Sequence, residues 1–148
     1  GMFLLIGIVY DRYHSRLLYY YGGLVHMMPI YSGILLVFTM ANIALPGTSS
    51  FVGEFLLLLG IYKTNVISAI VGALGVILCG AYSLWLYNRM IFGNLKTTFI
   101  VRFKDLNFLE FSILLPLLFF VIYMGVYPSF FSNFIHLSVC NLSLVTMY

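Results

Sequence analysis

The sequence predicts an all-α, polytopic membrane protein. Of its 148 residues, 63% are hydrophobic and only 7% are charged, whereas about a quarter of the residues in an average soluble domain carry a charge. Two long apolar runs, at about 66–92 and 109–127, have the roughly 20 residues that a transmembrane helix needs. Shorter apolar runs, interrupted by proline and glycine, precede them. Together these observations argue against an ordinary soluble domain.

The beginning of the chain does not supply a complete membrane crossing. Residues 2–9 are apolar but too short to span a bilayer alone, so we expect them to complete a helix begun by a partner. The polar residues 11–16 predict a surface loop. Because the chain opens at Gly1 inside an apolar run, we expect it to be a fragment or a processed product.

The next two apolar runs, 28–45 and 51–62, predict one discontinuous helix over about 28–62. Pro46 lacks a backbone donor and Gly47 permits conformations that other residues avoid, so the helix should break near 46–50. Non-helical backbone at membrane depth is tolerated only where it is buried in protein or lines a cavity. The predicted break is therefore a candidate functional feature.

The distribution of positive charge supports a single crossing. Basic residues lie before the discontinuous helix and again after the helix at 66–92, and basic loops share the inner side of a membrane. One broken crossing plus the helix at 66–92 places both groups inside, whereas two separate crossings would put one of them outside. The predicted loop at 93–110 is then internal, and 129–148 form an apolar tail. The basic residues are Arg12, Arg16, Arg89, Lys96, Arg102 and Lys104.

Glu54 is the principal candidate for chemistry. Apart from His26 and the tyrosines, it is the only ionisable side chain between Arg16 and Lys63, and an ionisable group within a bilayer costs roughly 2.5–3.5 kcal/mol. We expect it three to four residues into the second half-helix, where the helix dipole favours the carboxylate and apolar surroundings favour the neutral acid. Such a group can serve as a proton relay. The alternative is a fixed ion pair or hydrogen bond between helices.

Three hydroxyl groups precede Glu54. Thr48, Ser49 and Ser50 could hold water beside the carboxyl group, although capping of the second half-helix by Ser49 or Ser50 is the preferred interpretation.

Two further polar residues flank the same region. Asn42 could line the same cavity or form a hydrogen bond between helices. Lys63 could lie near a proton exit or simply extend to the interface.

Other kinds of site are not predicted. Cys79 and Cys140 have no metal-ligand spacing and give no reason to expect a disulfide. The formal charge of +3 is small and scattered, so nucleic-acid binding is not expected. We find no catalytic nucleophile pattern, phosphate loop or metal motif, and we expect no catalytic centre or cofactor in this chain.

Six short motifs are spread along the chain: 20–24 (YYGGL), 28–29 (MP), 41–42 (AN), 45–55 (LPGTSSFVGEF), 81–89 (AYSLWLYNR) and 93–96 (GNLK). Together they resemble the carboxyl-terminal third of the subunit 4 family of respiratory complex I, the proton-pumping NADH:ubiquinone oxidoreductase. The similarity extends over nearly the whole chain and is most specific around Glu54.

The resemblance implies an antiporter-like subunit with two inverted repeats, each holding a broken helix. Glu54 matches the glutamate of the second broken helix, which serves the proton path toward the outer side and which is lysine in related subunits. The family's other key groups, a glutamate and lysines, precede the first residue of this chain. Residues 1–148 would then form the carboxyl-terminal part of a proton-translocating membrane domain.

The resemblance also implies partners and a location. Another polypeptide would supply the amino-terminal part, beside other membrane-arm subunits and membrane lipid. The complex uses NADH, FMN, iron–sulfur clusters and ubiquinone in other subunits, and it lies in the mitochondrial inner membrane or, alternatively, a bacterial plasma membrane. Two other interpretations remain open: a structural membrane segment and a cation/proton antiporter module.

Overall fold

The computed structural model of the protein describes residues 1–94 and 104–146, and these form a helical structure without strands. Two helices are long and apolar enough to cross a membrane. Only 11% and 6% of their most apolar segments are buried, which argues against the core of a soluble protein. The predicted all-α, polytopic class is therefore confirmed. The helices are α1 Met2–Tyr13, α2 Pro29–Asn42, α3 Ser49–Thr64, α4 Val66–Ile91, α5 Phe108–Val126 and α6 Pro128–Thr146, of which α4 and α5 are the two candidate spans.

The first helix is longer than the sequence predicts. It continues through the polar residues Asp11 and Arg12 and ends only when His14 adopts a left-handed conformation, with φ of 53°. The His14 N–H donates to the Tyr10 carbonyl at 2.7 Å. The expectation of a loop beginning at residue 11 was wrong because the last turn of a helix accepts exposed polar and basic side chains.

The end of the chain also differs from expectation. The predicted apolar tail at 129–148 contains a sixth helix that follows α5 after a single residue. Pro128 begins it, as proline often does, because the amide missing from proline has no intrahelical partner at the first helical position. The same residue that ends one helix therefore starts another. Of the predicted inner loop, Lys96 and Arg102 lie outside the described residues.

The discontinuity between α2 and α3 occupies residues 43–48, which we call the break, slightly earlier than the predicted 46–50. Its first part is a Schellman cap: the Leu45 N–H donates to the Met40 carbonyl and the Ala44 N–H to the Ala41 carbonyl, both at 3.1 Å. Ala44 has φ of 61°. Glycine usually occupies this position because a Cβ makes the left-handed conformation costly.

The second part of the break is a tight turn from Leu45 to Thr48. The Thr48 N–H donates to the Leu45 carbonyl at 3.1 Å, and the Thr48 hydroxyl donates to the same oxygen at 2.8 Å. Pro46 occupies the second position and Gly47 the third, with φ of 97°. These are features of a type II turn, which requires positive φ at its third residue. The proline and glycine thus form the turn that starts α3.

Helix α4 packs along both halves of the discontinuous helix. The Tyr87 hydroxyl, near the end of α4, donates to the Ser32 carbonyl near the start of α2 at 3.2 Å. Earlier in α4, a Cβ placed on Gly72 would lie 3.2 Å from Leu58 in the middle of α3. Helix α4 therefore runs antiparallel to α2 and α3, and it passes the break on its way.

A polar cluster ties α1 to the start of α5. The Arg12 guanidinium donates to the Glu110 carboxylate at 2.8 Å and to the Asp105 carbonyl at 3.2 Å. Glu110 also accepts the Asn107 N–H at 2.8 Å and thereby caps α5. We call Arg12, Asp105, Asn107 and Glu110 the Arg12 cluster. It places the end of α1 beside the start of α5, as expected if these two regions share one side of the membrane.

The hydrophobic core lies next to the Arg12 cluster, between α1, α2 and the last turns of α4. Between helices in a bilayer such side chains stabilise the structure through close packing, since the surrounding lipid is as apolar as they are. Helix α3, in contrast, buries none of its residues. The core residues include Leu5, Val9, Leu24, Met28, Tyr31, Leu35, Ile91 and Leu114.

Replacement of Ala44 by glycine is expected to stabilise the protein. The substitution relieves the left-handed alanine, and after the entropic cost of glycine the net gain is up to about 1 kcal/mol. Thermal unfolding of the protein purified from its membrane would report this as a raised midpoint. Ala73→Gly is the matched control, because within the helical surface of α4 the same exchange destabilises by about 1 kcal/mol. A lowered midpoint for both variants would contradict the assigned cap.

Replacement of Arg12 by methionine is expected to lower the unfolding midpoint. It deprives the Glu110 carboxylate, of which 27% is exposed, of its cation, and a hydrogen bond to a charged group contributes about 1.5–3 kcal/mol. Arg16→Met is the control, since Arg16 is exposed and stacks on Tyr10 at 5.1 Å. An exposed contact of this kind contributes only about 0.5–1 kcal/mol. Equal losses in both variants would argue against a structural role of the cluster.

Candidate functional site

Glu54 lies in the second turn of α3, as the sixth residue after the break. Its side chain is half-buried. It precedes Leu58 by one helical turn, and Leu58 contacts α4 at Gly72, so Glu54 lies toward the α4 side of α3. Within residues 1–94 and 104–146, no hydrogen bond or ion pair joins the Glu54 carboxylate to another side chain. The described part of the chain thus offers it no fixed partner.

Glu54 lies further from the start of α3 than the sequence predicts. We expected the carboxylate three to four residues into the half-helix, within reach of the helix dipole. The observed break ends earlier, so α3 begins at Ser49 and Glu54 lies beyond the first turn. Because the dipole effect falls off within the first turn, Glu54 lies beyond the part of the helix where we expected the dipole to act on it.

The hydroxyl residues before Glu54 take different roles from those predicted. Ser49 and Ser50 do not cap α3, because they already belong to its first turn. Thr48 is the N-cap residue, but its hydroxyl donates to the Leu45 carbonyl instead of accepting from α3. Ser50 precedes Glu54 by four residues and therefore lies on the same face of the helix. Among these hydroxyls, Ser50 is the best placed to share a water molecule with Glu54.

The other two predicted site residues do not join Glu54. The Asn42 side chain is exposed at the end of α2 and forms no hydrogen bond with the described residues, whereas its backbone carbonyl lies 3.9 Å from the Cys79 sulfur. Lys63 is also exposed, in the last turn of α3. Nine residues separate it from Glu54, which corresponds to about 13 Å along the axis and to the opposite face. Within the described ranges, no three potential ligands converge as a metal site would require.

The Arg12 cluster is the polar feature that the sequence analysis missed. Its signal was present, because an asparagine followed three residues later by a glutamate before an apolar run is a capping-box pattern. Asn107 and Glu110 form this pattern. The partner of Glu110 was not predictable, since Arg12 lies 98 positions away.

Tyr21, which lies outside the membrane-spanning helices, forms a hydrogen bond near the Arg12 end of α1. The Tyr21 hydroxyl donates to the Ser15 carbonyl beyond the end of α1. Burial raises the pKa of Tyr21 above its ordinary value, so this group stays a neutral donor at physiological pH.

Comparisons with known proteins assign the family. The family described as "NADH:quinone oxidoreductase/Mrp antiporter, TM" matches residues 1–80. NADH-ubiquinone oxidoreductase chain 4 of Marchantia polymorpha is 56% identical over 142 residues, which are 96% of this chain and 29% of that protein. Chain 4 of Arabidopsis thaliana is 54% identical, with the same coverage. The bacterial NADH-quinone oxidoreductase subunit M of Rhodobacter capsulatus is 48% identical, over 96% of this chain and 28% of that protein.

The fold has a counterpart of known structure. A chain of respiratory complex I from Thermus thermophilus, solved with bound NADH, matches with a TM-score of 0.81 and 33% identity. The match covers 88% of this chain and 27% of that one. The chain thus spans less than a third of the length of these relatives. They are mitochondrial and bacterial proteins, which confirms the family resemblance and the membrane location that the sequence predicts. It belongs to the NADH:quinone oxidoreductase/Mrp antiporter family of membrane proteins.

Proposed function

We propose that this chain forms the carboxyl-terminal part of an antiporter-like subunit of NADH:quinone oxidoreductase, in which Glu54 takes up and releases a proton during translocation. The observation that carries this proposal is the position of Glu54. It is a half-buried acid just after a break between two apolar helices, without a partner among the described residues. An ionisable group in such a place is functional by default.

The two half-helices act as one crossing in this proposal. The length of α4, 26 residues or about 39 Å, exceeds that of either half. Because α4 contacts α2 near its own end and α3 near its beginning, the halves follow one another along a single span. The break then lies at membrane depth. Non-helical backbone at this depth is tolerated where it lines a water-filled cavity or is covered by protein.

The local chemistry of the break suits a path for water. The side chain of the N-cap residue Thr48 does not pair with α3, so the first amides of α3 can donate to water. Ser50 adds a hydroxyl on the Glu54 face. Water held there would link the carboxyl group to the space beside the break. A proton leaving Glu54 would pass to that water, and another from the opposite side would replace it.

The proposed partners are inferred from two observations: the apolar helices are exposed, and the chain covers only part of the length of its relatives. Helix α3 has no buried residue, and α4 and α5 are largely exposed, so apolar side chains must contact lipid or other chains. We propose that the remaining part of the subunit and other membrane-arm subunits cover them. NADH, FMN, iron–sulfur clusters and ubiquinone would then belong to other subunits. Because the plant relatives are mitochondrial proteins, we assign this chain to the mitochondrial inner membrane.

The cation/proton antiporter alternative has less support. The matching family includes Mrp antiporters, but the relatives of 48–56% identity described above are NADH oxidoreductase subunits. The structural alternative requires Glu54 to lock two helices together through a fixed partner. No described residue supplies that partner.

Replacement of Glu54 by glutamine tests the proposal. Glutamine keeps the shape and hydrogen-bonding capacity of the side chain but cannot release a proton. In the assembled complex we expect NADH oxidation to continue with a lower proton-to-electron ratio, because translocation through this path stops. Proton uptake and electron transfer would be measured together in reconstituted vesicles.

Two control variants sharpen this experiment. Glu54→Asp retains an acid and should retain part of the proton yield. Lys63→Gln alters an exposed residue on the opposite face of α3 and should leave the ratio unchanged. A normal ratio in fully assembled Glu54→Gln would contradict the relay. Loss of assembly in that variant, with normal activity of the complexes that do form, would favour the structural alternative.

A further inference from the structure

Helix α5 and the residues just before it contact the start of α2 and the turn that precedes α3. Three residues before α5 begins, the Asp105 carboxylate accepts the backbone N–H groups of Ile30 at 3.0 Å and Tyr31 at 3.3 Å. These are the second and third residues of α2, whose amides an N-cap side chain normally binds. Met28 occupies the N-cap position of α2, and its side chain has no oxygen that could accept these hydrogen bonds. Asp105 therefore caps α2 from 75 positions further along the chain.

The Arg12 cluster holds this cap in place. Arg12 donates to the Asp105 carbonyl and to Glu110, and Glu110 in turn binds the Asn107 amide. The Arg12 side chain is 14% exposed, so these contacts are shielded from water. A charge-assisted hydrogen bond in such a place is stronger than one at an open surface. The beginning of α5 is thus fixed to α1 and α2 together.

At its other end, α5 packs directly against the break. A Cβ placed on Gly125 would lie 2.6 Å from the Thr48 carbonyl carbon and closer still to the Gly47 carbonyl. Uncrowded carbon atoms are about 3.5–4.0 Å apart. The atoms that crowd this position belong to the backbone, so no side-chain rotation can relieve the contact. Only glycine allows this approach.

The contacts of Asp105 and Gly125 together determine how α5 lies relative to α2. Since Asp105 meets the start of α2 and Gly125 meets the break after its end, α5 runs parallel to α2. Between them, Leu114 of α5 is 1% exposed and belongs to the core that also holds α2 residues. Helix α5 has 19 residues, about 28 Å, and continues through Pro116 without interruption. Together with the short segment that the Arg12 cluster holds in front of it, α5 therefore sets the distance between the two contacts.

We propose that α5 is a strut that positions the break, and through it Glu54, with Asp105 and Gly125 as positioning residues. This inference rests on the proposed proton-relay function of Glu54. The link from the break to Glu54 is rigid, because α3 begins at Ser49 and continues without interruption past residue 54. A displacement of the Gly47 and Thr48 backbone must move the carboxyl group as well. An added methyl group at Gly125 requires a displacement of about 1 Å.

The test compares Gly125→Ala with Gly75→Ala in the assembled complex. Gly75 lies within α4, and a Cβ placed on it meets nothing within 4 Å. The first readout is the rate at which dicyclohexylcarbodiimide modifies Glu54, followed by mass spectrometry of the peptide that contains it. The second is the proton-to-electron ratio. The labelling rate reports the surroundings of the carboxyl group, whether or not it relays protons.

For Gly125→Ala, we expect the labelling rate of Glu54 to change at least about threefold, since a displacement of about 1 Å is enough to disturb a working site. The proton-to-electron ratio should fall while assembly persists. Gly75→Ala should match the wild type in both readouts. Assembled Gly125→Ala with wild-type labelling and a wild-type ratio would overturn the proposal.

Variants of Asp105 test the other end of the strut. Asp105→Ala removes the cap of α2 and should change Glu54 labelling in the same way as Gly125→Ala, whereas Asp105→Asn keeps an acceptor oxygen and should change it less. Failure of both Gly125→Ala and Asp105→Ala to assemble, with Gly75→Ala intact, would reduce the two contacts to a role in folding and overturn the proposal.

The Glu54→Gln variant distinguishes failure of the proton relay from failure of the strut. A normal proton-to-electron ratio in Glu54→Gln would refute the relay itself. A reduced ratio there, with unaltered Glu54 labelling in Gly125→Ala, would refute only the strut.

Discussion

The arrangement depends on one constraint: backbone groups that leave a helix inside an apolar environment must find other partners. The break meets it within six residues, by a Schellman cap followed by a hydrogen-bonded turn on Leu45. The cost is a left-handed alanine and an obligatory glycine in the turn. Because many backbone N–H and C=O groups of the break are hydrogen-bonded to one another, the break can remain ordered beside a half-buried acid.

The remaining features place this break relative to the rest of the chain. Helix α4 lies along both halves and keeps them in succession, whereas α5 contacts the beginning of one half and the turn that precedes the other. The core and the Arg12 cluster lie at the far end of α2. The fully buried side chains thus lie away from the proposed relay, whereas α3 packs on α4 and α5 without burying any side chain completely.

Local sequence was sufficient for the features that local chemistry determines. The long apolar runs predicted α4 and α5, and Pro46 with Gly47 predicted the position of the break to within a few residues. The sequence prediction was wrong where a residue has two possible roles: Pro128 ends one helix and starts another, and the serines after the break belong to α3 instead of capping it. The partnership of Arg12 with Glu110 depends on the tertiary fold, so no local pattern could reveal it.

The lack of buried side chains on α3 has a consequence for the cell. Helix α3 packs on α4 and α5 of its own chain but leaves most of its apolar side chains open, so in a newly inserted copy lipid would cover the open side of this helix. If Glu54 relays protons as proposed, such a copy would lack the groups that continue the route across the bilayer. Synthesis of the chain ahead of its neighbours would then leave the voltage of the energised membrane intact.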